Sequence, residues 1–257
     1  MKASQRKKRA KVALSNPAWE AMKGARRNLD HDQAVQEVIF LQRQYRTQWR
    51  NRMAASPVDL NVIIKTLSQK KIPFVLTGAH GIAAWTGKPR DTHDVDILVK
   101  GGRNLTRAVN AIRALYPQLE ERNFAGVTAF FVPGETTSVI DVTYPHRPDL
   151  AETLANPTWT ENREQRVRYR IPSLEEALAN KYGAMLTPSR HLDKRIADTL
   201  DFTRMVQRSQ DQGQRPIDLQ RLEILGEKVW PGGGGAEILR LVEQVKAGKA
   251  INLDDLD

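Results

Sequence analysis

Residues 74–99 read FVLTGAHGIAAWTGKPRDTHDVDILV, and the order of residue types in that stretch decides the fold. Phe74 to Thr77 is a short apolar run ended by Gly78, and Ile82 to Trp85 belongs to a following helix. Val95 to Val99 is a second apolar run, entered through two aspartates one residue apart, Asp94 and Asp96. The pattern predicts strand, glycine-bearing turn, helix and strand. In an extended 95–99 segment, period-two geometry sets Asp94 and Asp96 on one face and Val95 and Ile97 on the other. One divalent ion can then touch both carboxylates. Magnesium prefers oxygen ligands and shares them with substrate phosphates. The bland alternative for such a pair is a strand end facing water.

The turn narrows the choice. Gly78 to Gly81, placed between a strand and a helix, would aim backbone N–H groups at an anion, although an ordinary strand-to-helix turn also needs small residues. Downstream, TTSVIDVTY reads as a short strand with one charge in its middle. Its Asp141 is the candidate third carboxylate, because a strand carboxylate needs a partner or solvent. Two carboxylates, a third on a later strand and a phosphate-binding turn together make a site for metal-assisted transfer of a nucleotidyl group, with Mg2+ or Mn2+ as cofactor and an NTP as substrate.

On these residues the stretch resembles the front half of a nucleotidyltransferase domain of the minimal or AbiEii-like kind. In that superfamily a Gly-Gly or Gly-Ser turn precedes an Asp-x-Asp strand, and a later strand brings another aspartate. The resemblance implies that Gly78 and Ala79 form the turn, that Asp94 and Asp96 bind metal, and that Asp141 is the third carboxylate. Pro89, Arg90 and Thr92 match the residues that AbiEii-like members place before the pair. Ala79 departs from the pattern, standing where a serine or second glycine would be; backbone N–H groups remain for phosphates, and a weakened or altered enzyme stays open. The resemblance continues into SLEEALANKYGAMLTPSRHLDKRIADTLDF, where it implies that Lys181 lies near the nucleotide phosphates and that Arg190, Lys194 and Asp198 form a later group. It covers about residues 57 to 205.

Bland readings stand beside these. Leu174, Leu178, Tyr182, Met185 and Leu186 form an apolar stripe at helical spacing, which Lys181 could merely flank. Lys194 and Asp198 are four apart, so local pairing on a solvent-facing helix would explain them. Arg90 has acidic neighbours in Asp91, Asp94 and Asp96, and would brace a carboxylate or contact phosphate. His80 reads as part of the turn helix and His93 as a loop residue. Neither has a recognised zinc spacing, and the chain has no cysteine.

The chain has 257 residues, 40% of them hydrophobic, enough for one sizeable core and a helical appendage. Absence of cysteine excludes disulfides and allows a reducing compartment. No long apolar run and no secretory leader are present, so the expectation is a cytoplasmic protein with no membrane partner. The formal net charge of +10 is concentrated in residues 1–52 and in NREQRVRYRIPS, which leads into a helical segment. Such fields attract polyanions. Trp19, Tyr45 and Trp49 interleave with the first run and could stack on unpaired bases, or Trp19 could simply pack a terminal helix. An RNA acceptor such as a tRNA end would reconcile the basic surface with the chemistry, and tRNA modification occurs within the resembled family. The alternatives are an inactive NTP- or partner-binding module and transfer to a protein partner, as in a toxin–antitoxin pair, or to a small molecule such as an aminoglycoside. Short motifs do not select the base of the NTP.

The expected architecture is α/β: a small mixed sheet of nucleotidyltransferase type covered by helices (56–150), a mainly helical C-terminal domain (151–257) and a basic helical N-terminal extension (1–55) with a helix over 31–50. Ser56-Pro57 is an N-cap signal for a helix to about Gln69. A helix is expected over Leu105 to Leu115, and a hairpin from Val127 to Val132 and Thr137 to Thr143 around PGET. Arg215-Pro216 reads as a helix start, and the glycines 232–235 as a hinge between helices, since they lack a phosphate-loop ending.

Overall fold

The computed structural model describes residues 58–87, 92, 94–162 and 166–256. The expectations for the N-terminal extension, including the 31–50 helix and Trp19, Tyr45 and Trp49, lie outside the described residues, as do Ser56, Pro57, Pro89, Arg90, Asp91 and His93.

The chain enters the described region on α1 (Leu60–Gln69). Leu60, Ile63, Ile64 and Leu67 bury one stripe of it at helical spacing, each worth roughly 1.5–3 kcal/mol. Its N-cap is Asp59, whose carboxylate accepts from Asn61 N at 2.9 Å, so the helix starts later than a Ser56 cap would place it. Next come β1 (Phe74–Leu76), α2 (Gly78–Thr86), β2 (Val95–Val99) and α3 (Arg103–Leu115), in the order the sequence predicts. Three strands follow, β3 (Glu120–Phe124), β4 (Val127–Phe131) and β5 (Ser138–Thr143). β4 and β5 form the expected hairpin, with a register irregularity at Phe130/Phe131.

These strands make one five-stranded sheet in the order β1-β2-β5-β4-β3. β2 and β5 run parallel, while the other neighbours are antiparallel. The mixed sheet and its helices agree with the expected α/β class. α1 and α3 contribute to the core on one face with Val95, Ile97, Ile140 and Val142; alternation sends Asp96 and Asp141 to the opposite face.

The remainder holds α4 (Pro148–Ala155), β6 (Thr158–Asn162), β7 (Val167–Ile171), α5 (Leu174–Met185), α6 (Leu192–Arg208), α7 (Leu219–Val229), α8 (Gly234–Lys246) and a 3-10 turn at Leu253–Leu256. The basic run leads into α5, as expected, and part of it is itself a strand: β7 pairs antiparallel with β6. Its buried Tyr169 and Ile171 join the first core, and the Arg170 guanidinium donates to the Phe74 carbonyl at 3.0 Å. Val-Arg-Tyr-Arg-Ile alternates at the strand period, whereas charge alone suggests only a solvated run.

A second core unites α5 to α8 and takes Ile82 from α2. Trp85 packs against both cores and donates its indole N–H to the Pro172 carbonyl at 2.9 Å, so α2 is the wedge between them. Asp218, accepting from Arg221 N at 2.9 Å, caps α7, which therefore begins after Arg215-Pro216. Nor are the four glycines a simple hinge. Gly234 and Gly235 are the first residues of α8 and are buried; a Cβ on Gly234 would lie 2.3 Å from the Gly226 carbonyl oxygen of α7. The glycines allow two helix backbones to touch. Among the described residues, no helix is long and apolar enough to cross a membrane.

Candidate active site

The sheet register gathers the carboxylates. Asp96 of β2 lies opposite Asp141 of β5, Asp141 opposite Ala129 of β4, and Ala129 opposite Arg122 of β3. These residues therefore form one row across four strands, on the face away from the α1–α3 core. Asp94 stands just before β2, and the Thr92 hydroxyl donates to its carboxylate in a short hydrogen bond. Thr92, noted in the sequence only as part of a pattern, thus orients one of the paired aspartates.

Gly78 closes over the row. Thr77 N donates to the Asp96 carbonyl at 2.9 Å, which locks the turn to β2. Gly78 takes a φ of +59°, and a Cβ there would sit 1.8 Å from Asp96 Oδ2. Only glycine permits both the left-handed backbone and that approach. α2 begins at Gly78 without a side-chain cap, so the N-terminal end of its dipole is directed at the carboxylate row. His80 lies in the turn helix, as expected, and both it and Ala79 are buried. The Ala79 methyl packs inward, leaving the backbone as the group presented at the turn.

Crowding of like charges has an electrostatic signature. The Asp96 carboxyl is pushed up to about 8, chiefly by burial and then by Asp94 and Asp141, with Lys181 and Arg190 pulling the other way. The Asp141 carboxyl is also raised, again mainly by burial; a Ser138 hydrogen bond and the charges of Lys194 and Arg190 oppose the shift, and Asp94 adds to it. Asp141 Oδ1 is buried with no hydrogen-bond partner. Half-buried, mutually repelling carboxylates with one unsatisfied buried oxygen suit a cation. Among the described residues, however, no three His, Cys, Asp or Glu side chains converge on a single ion position. The donor set fits an ion that takes one or two protein carboxylates and completes its shell from substrate phosphate and water, which is the usual habit of magnesium.

The cations suggested by sequence arrive by different routes. Lys181 of α5 is buried, its Nζ 2.7 Å from Asp198 Oδ1 and 2.8 Å from Asp201 Oδ2 on α6. Arg190 Nε donates to the other Asp198 oxygen at 2.6 Å. Asp198 of α6 therefore pairs with Lys181 of α5 and with Arg190 of the intervening loop, in place of the local pairing with Lys194 that their spacing allowed. Lys194 instead lines an open cleft of about 450 Å³ together with Asp141. Arg90 belongs to the undescribed stretch.

Sequence reasoning missed other residues of that cleft, among them Phe124, Phe131, Thr136, Thr137, Ser138 and His191. The Thr-Thr-Ser run sits just before Asp141 in the chain and was within reach of inspection. Phe124 was not, because it approaches only through the pairing of β3, a strand of mostly exposed residues with no apolar alternation.

No protein-family model matches the chain, and no curated protein matches it. Among solved structures, the chain is similar to an antigenic nucleotidyltransferase-like protein from Paracoccidioides brasiliensis at 17% identity, with a TM-score of 0.45, covering 76% of this chain and 94% of that one. It is likewise similar to the antibiotic-resistance factor ANT(2'')-Ia at 12% identity, TM-score 0.42, covering 74% and 94% of the two chains. A third likeness is to JHP933 from Helicobacter pylori, at 13% identity and TM-score 0.40, covering 74% and 89%. These are distant likenesses, and the functional reading rests on the geometry of the site.

Proposed function

We propose that the protein is a divalent-cation-dependent nucleotidyltransferase that moves a nucleotidyl group from an NTP to an acceptor hydroxyl. The observation that carries the proposal is the register pairing of Asp96 with Asp141 directly beneath the Gly78 turn. Asp94 and Asp96 would hold one Mg2+ or Mn2+ and Asp141 a second, and the ions would neutralise charge on the triphosphate and on the departing pyrophosphate.

The chain's own groups do the rest. Gly78 and Ala79 present backbone N–H groups to the phosphates at the start of α2. An acceptor oxygen attacks the α-phosphorus in line; the new O–P bond forms as the bond to pyrophosphate breaks. Asp141, on the strand beside Asp96, is placed to take the acceptor proton. Arg190, in the loop before α6, acts on Asp96 and Asp141, and Lys194 of α6 acts on Asp141; both would stabilise added negative charge. Lys181, held by Asp198 and Asp201, acts on Asp96 through its field and keeps α5 and α6 in place. Positioning and charge neutralisation supply most of the catalysis.

An RNA acceptor, such as a tRNA end, agrees with the net charge of +10. The test is transfer from each of four α-labelled NTPs, with magnesium or manganese, into total RNA and protein. Label in RNA that disappears with Asp96→Ala is expected. Undiminished labelling by a folded Asp96→Ala protein would remove the carboxylates from the mechanism, and label confined to protein would replace the RNA acceptor with a protein partner.

A further inference from the structure

We infer that the cleft beside Asp141 is the acceptor subsite and that Phe124 is the platform on which the last ring of a single-stranded RNA end stacks; this rests on the nucleotidyltransferase reading of the adjoining carboxylates. The cleft, of about 450 Å³, opens between the β3–β5 part of the sheet and the start of α6. That is room for about one nucleotide, at the small end of ligand pockets. Its floor is Ala129, whose small side chain separates Asp141 from Arg122 along the register row.

Beyond Ala129 stand two aromatic rings. Phe131 is 5% exposed, and its face is covered by the Arg122 guanidinium 4.3 Å from the ring centroid. Phe124, whose ring centroid is 6.4 Å from that of Phe131, is 58% exposed. An exposed phenylalanine held against a buried one at the rim of a polar cleft offers a flat partner to another ring. The facing wall carries Lys194, which has no carboxylate within ion-pair distance among the described residues and is free to meet phosphate. Thr136, Thr137 and Ser138 add hydroxyls to the same lining, groups that suit a ribose.

The same inventory disfavours other acceptors. Asp141 is the one carboxylate among the lining residues, so a polycationic aminosugar would find a single acidic partner there and would meet Lys194 as a like charge. A ring joined to a phosphodiester matches each element: stacking on Phe124, charge on Lys194 and a terminal hydroxyl at Asp141.

The experiment uses the full chain and a fluorescently labelled six-nucleotide single-stranded RNA. Phe124→Ala is expected to weaken RNA binding and to raise the acceptor KM about tenfold or more, with NTP affinity unchanged and Phe124→Tyr restoring both. Lys194→Gln should reduce the salt dependence of RNA binding by about one phosphate contact. If the wild-type protein transfers nothing to any acceptor, yet Phe124→Ala still loses RNA binding that Phe124→Tyr keeps, the subsite stands and the reaction is wrong. If transfer is found and Phe124→Ala leaves both RNA binding and acceptor KM untouched, or the labelled acceptor is a protein or an aminosugar, the reaction stands and this subsite is overturned.

Discussion

At the scale of single residues, the site depends on an absence. Gly78 has no side chain because Asp96 occupies the place where one would go. Gly78→Ala must move either the turn or the carboxylate, and a displacement of about 1 Å in such a site costs roughly a hundredfold in rate. A loss in kcat of that order is expected, with far-UV circular dichroism showing an intact fold. Retention of wild-type kcat by Gly78→Ala would mean that the turn does not set the position of Asp96. This glycine and the two aspartates were legible in the sequence because their signals are local: a small residue at a strand end and an i, i+2 carboxylate pair. Ser138 as the partner of Asp141, and Thr92 as that of Asp94, emerge only with side-chain geometry.

At the scale of elements, α5 and α6 are joined by a buried charge cluster. Lys181 lies between Asp198 and Asp201, each with its side chain almost fully buried. Removing the ammonium leaves two carboxylates without their compensating charge, a change that costs about 3–5 kcal/mol. Lys181→Met is therefore expected to lower the urea midpoint strongly, whereas a loss below about 1 kcal/mol would show that water or Arg190 takes over the role. Elements with clear apolar periodicity, such as α1, β2 and α5, could be read directly from sequence. β3 could not, since Glu-Glu-Arg-Asn-Phe is a polar edge strand whose pairing is tertiary. β7 was hidden by its arginines, although Val167, Tyr169 and Ile171 alternate as a half-buried strand should. Two helix starts fell later than proline suggested, because an aspartate supplied the cap in each case. The glycines before α8 misled for a related reason: glycine signals freedom in a sequence but can mean close packing in a fold.

At the scale of the whole molecule, the burial of Asp96, reinforced by its acidic neighbours Asp94 and Asp141, becomes a dependence of stability on pH. In the folded chain the Asp96 carboxyl is raised to about 8, while in an unfolded chain an aspartate titrates near about 3.9. Between those values the folded state binds a proton that the unfolded state has released, so stability declines as pH rises from about 4 to about 8. Asp96→Asn removes that penalty. In the presence of a chelator, the variant should be more stable than the wild type at pH 8, by the order of 1–3 kcal/mol or roughly 2–4 °C per kcal/mol in Tm, and nearly equal at pH 4. Calorimetry at both values checks this, with a variant less stable than wild type at pH 8 as the contrary result. Magnesium is expected to narrow the gap by stabilising the wild type alone.

The parallel pairing of β2 with β5 also has a bearing on how the chain reaches its native state. Every other ladder of the main sheet is antiparallel, and β3, β4 and β5 follow one another through short turns, so that part can close early at little entropic cost. The β2–β5 seam joins strands separated by a helix and two further strands, and its closure forces Asp96 against Asp141. Long-range loop closure and charge repulsion thus fall on the same step. The β2–β5 seam, with the candidate site on it, is therefore expected to close last, and a multivalent cation present during refolding is expected to hasten that step.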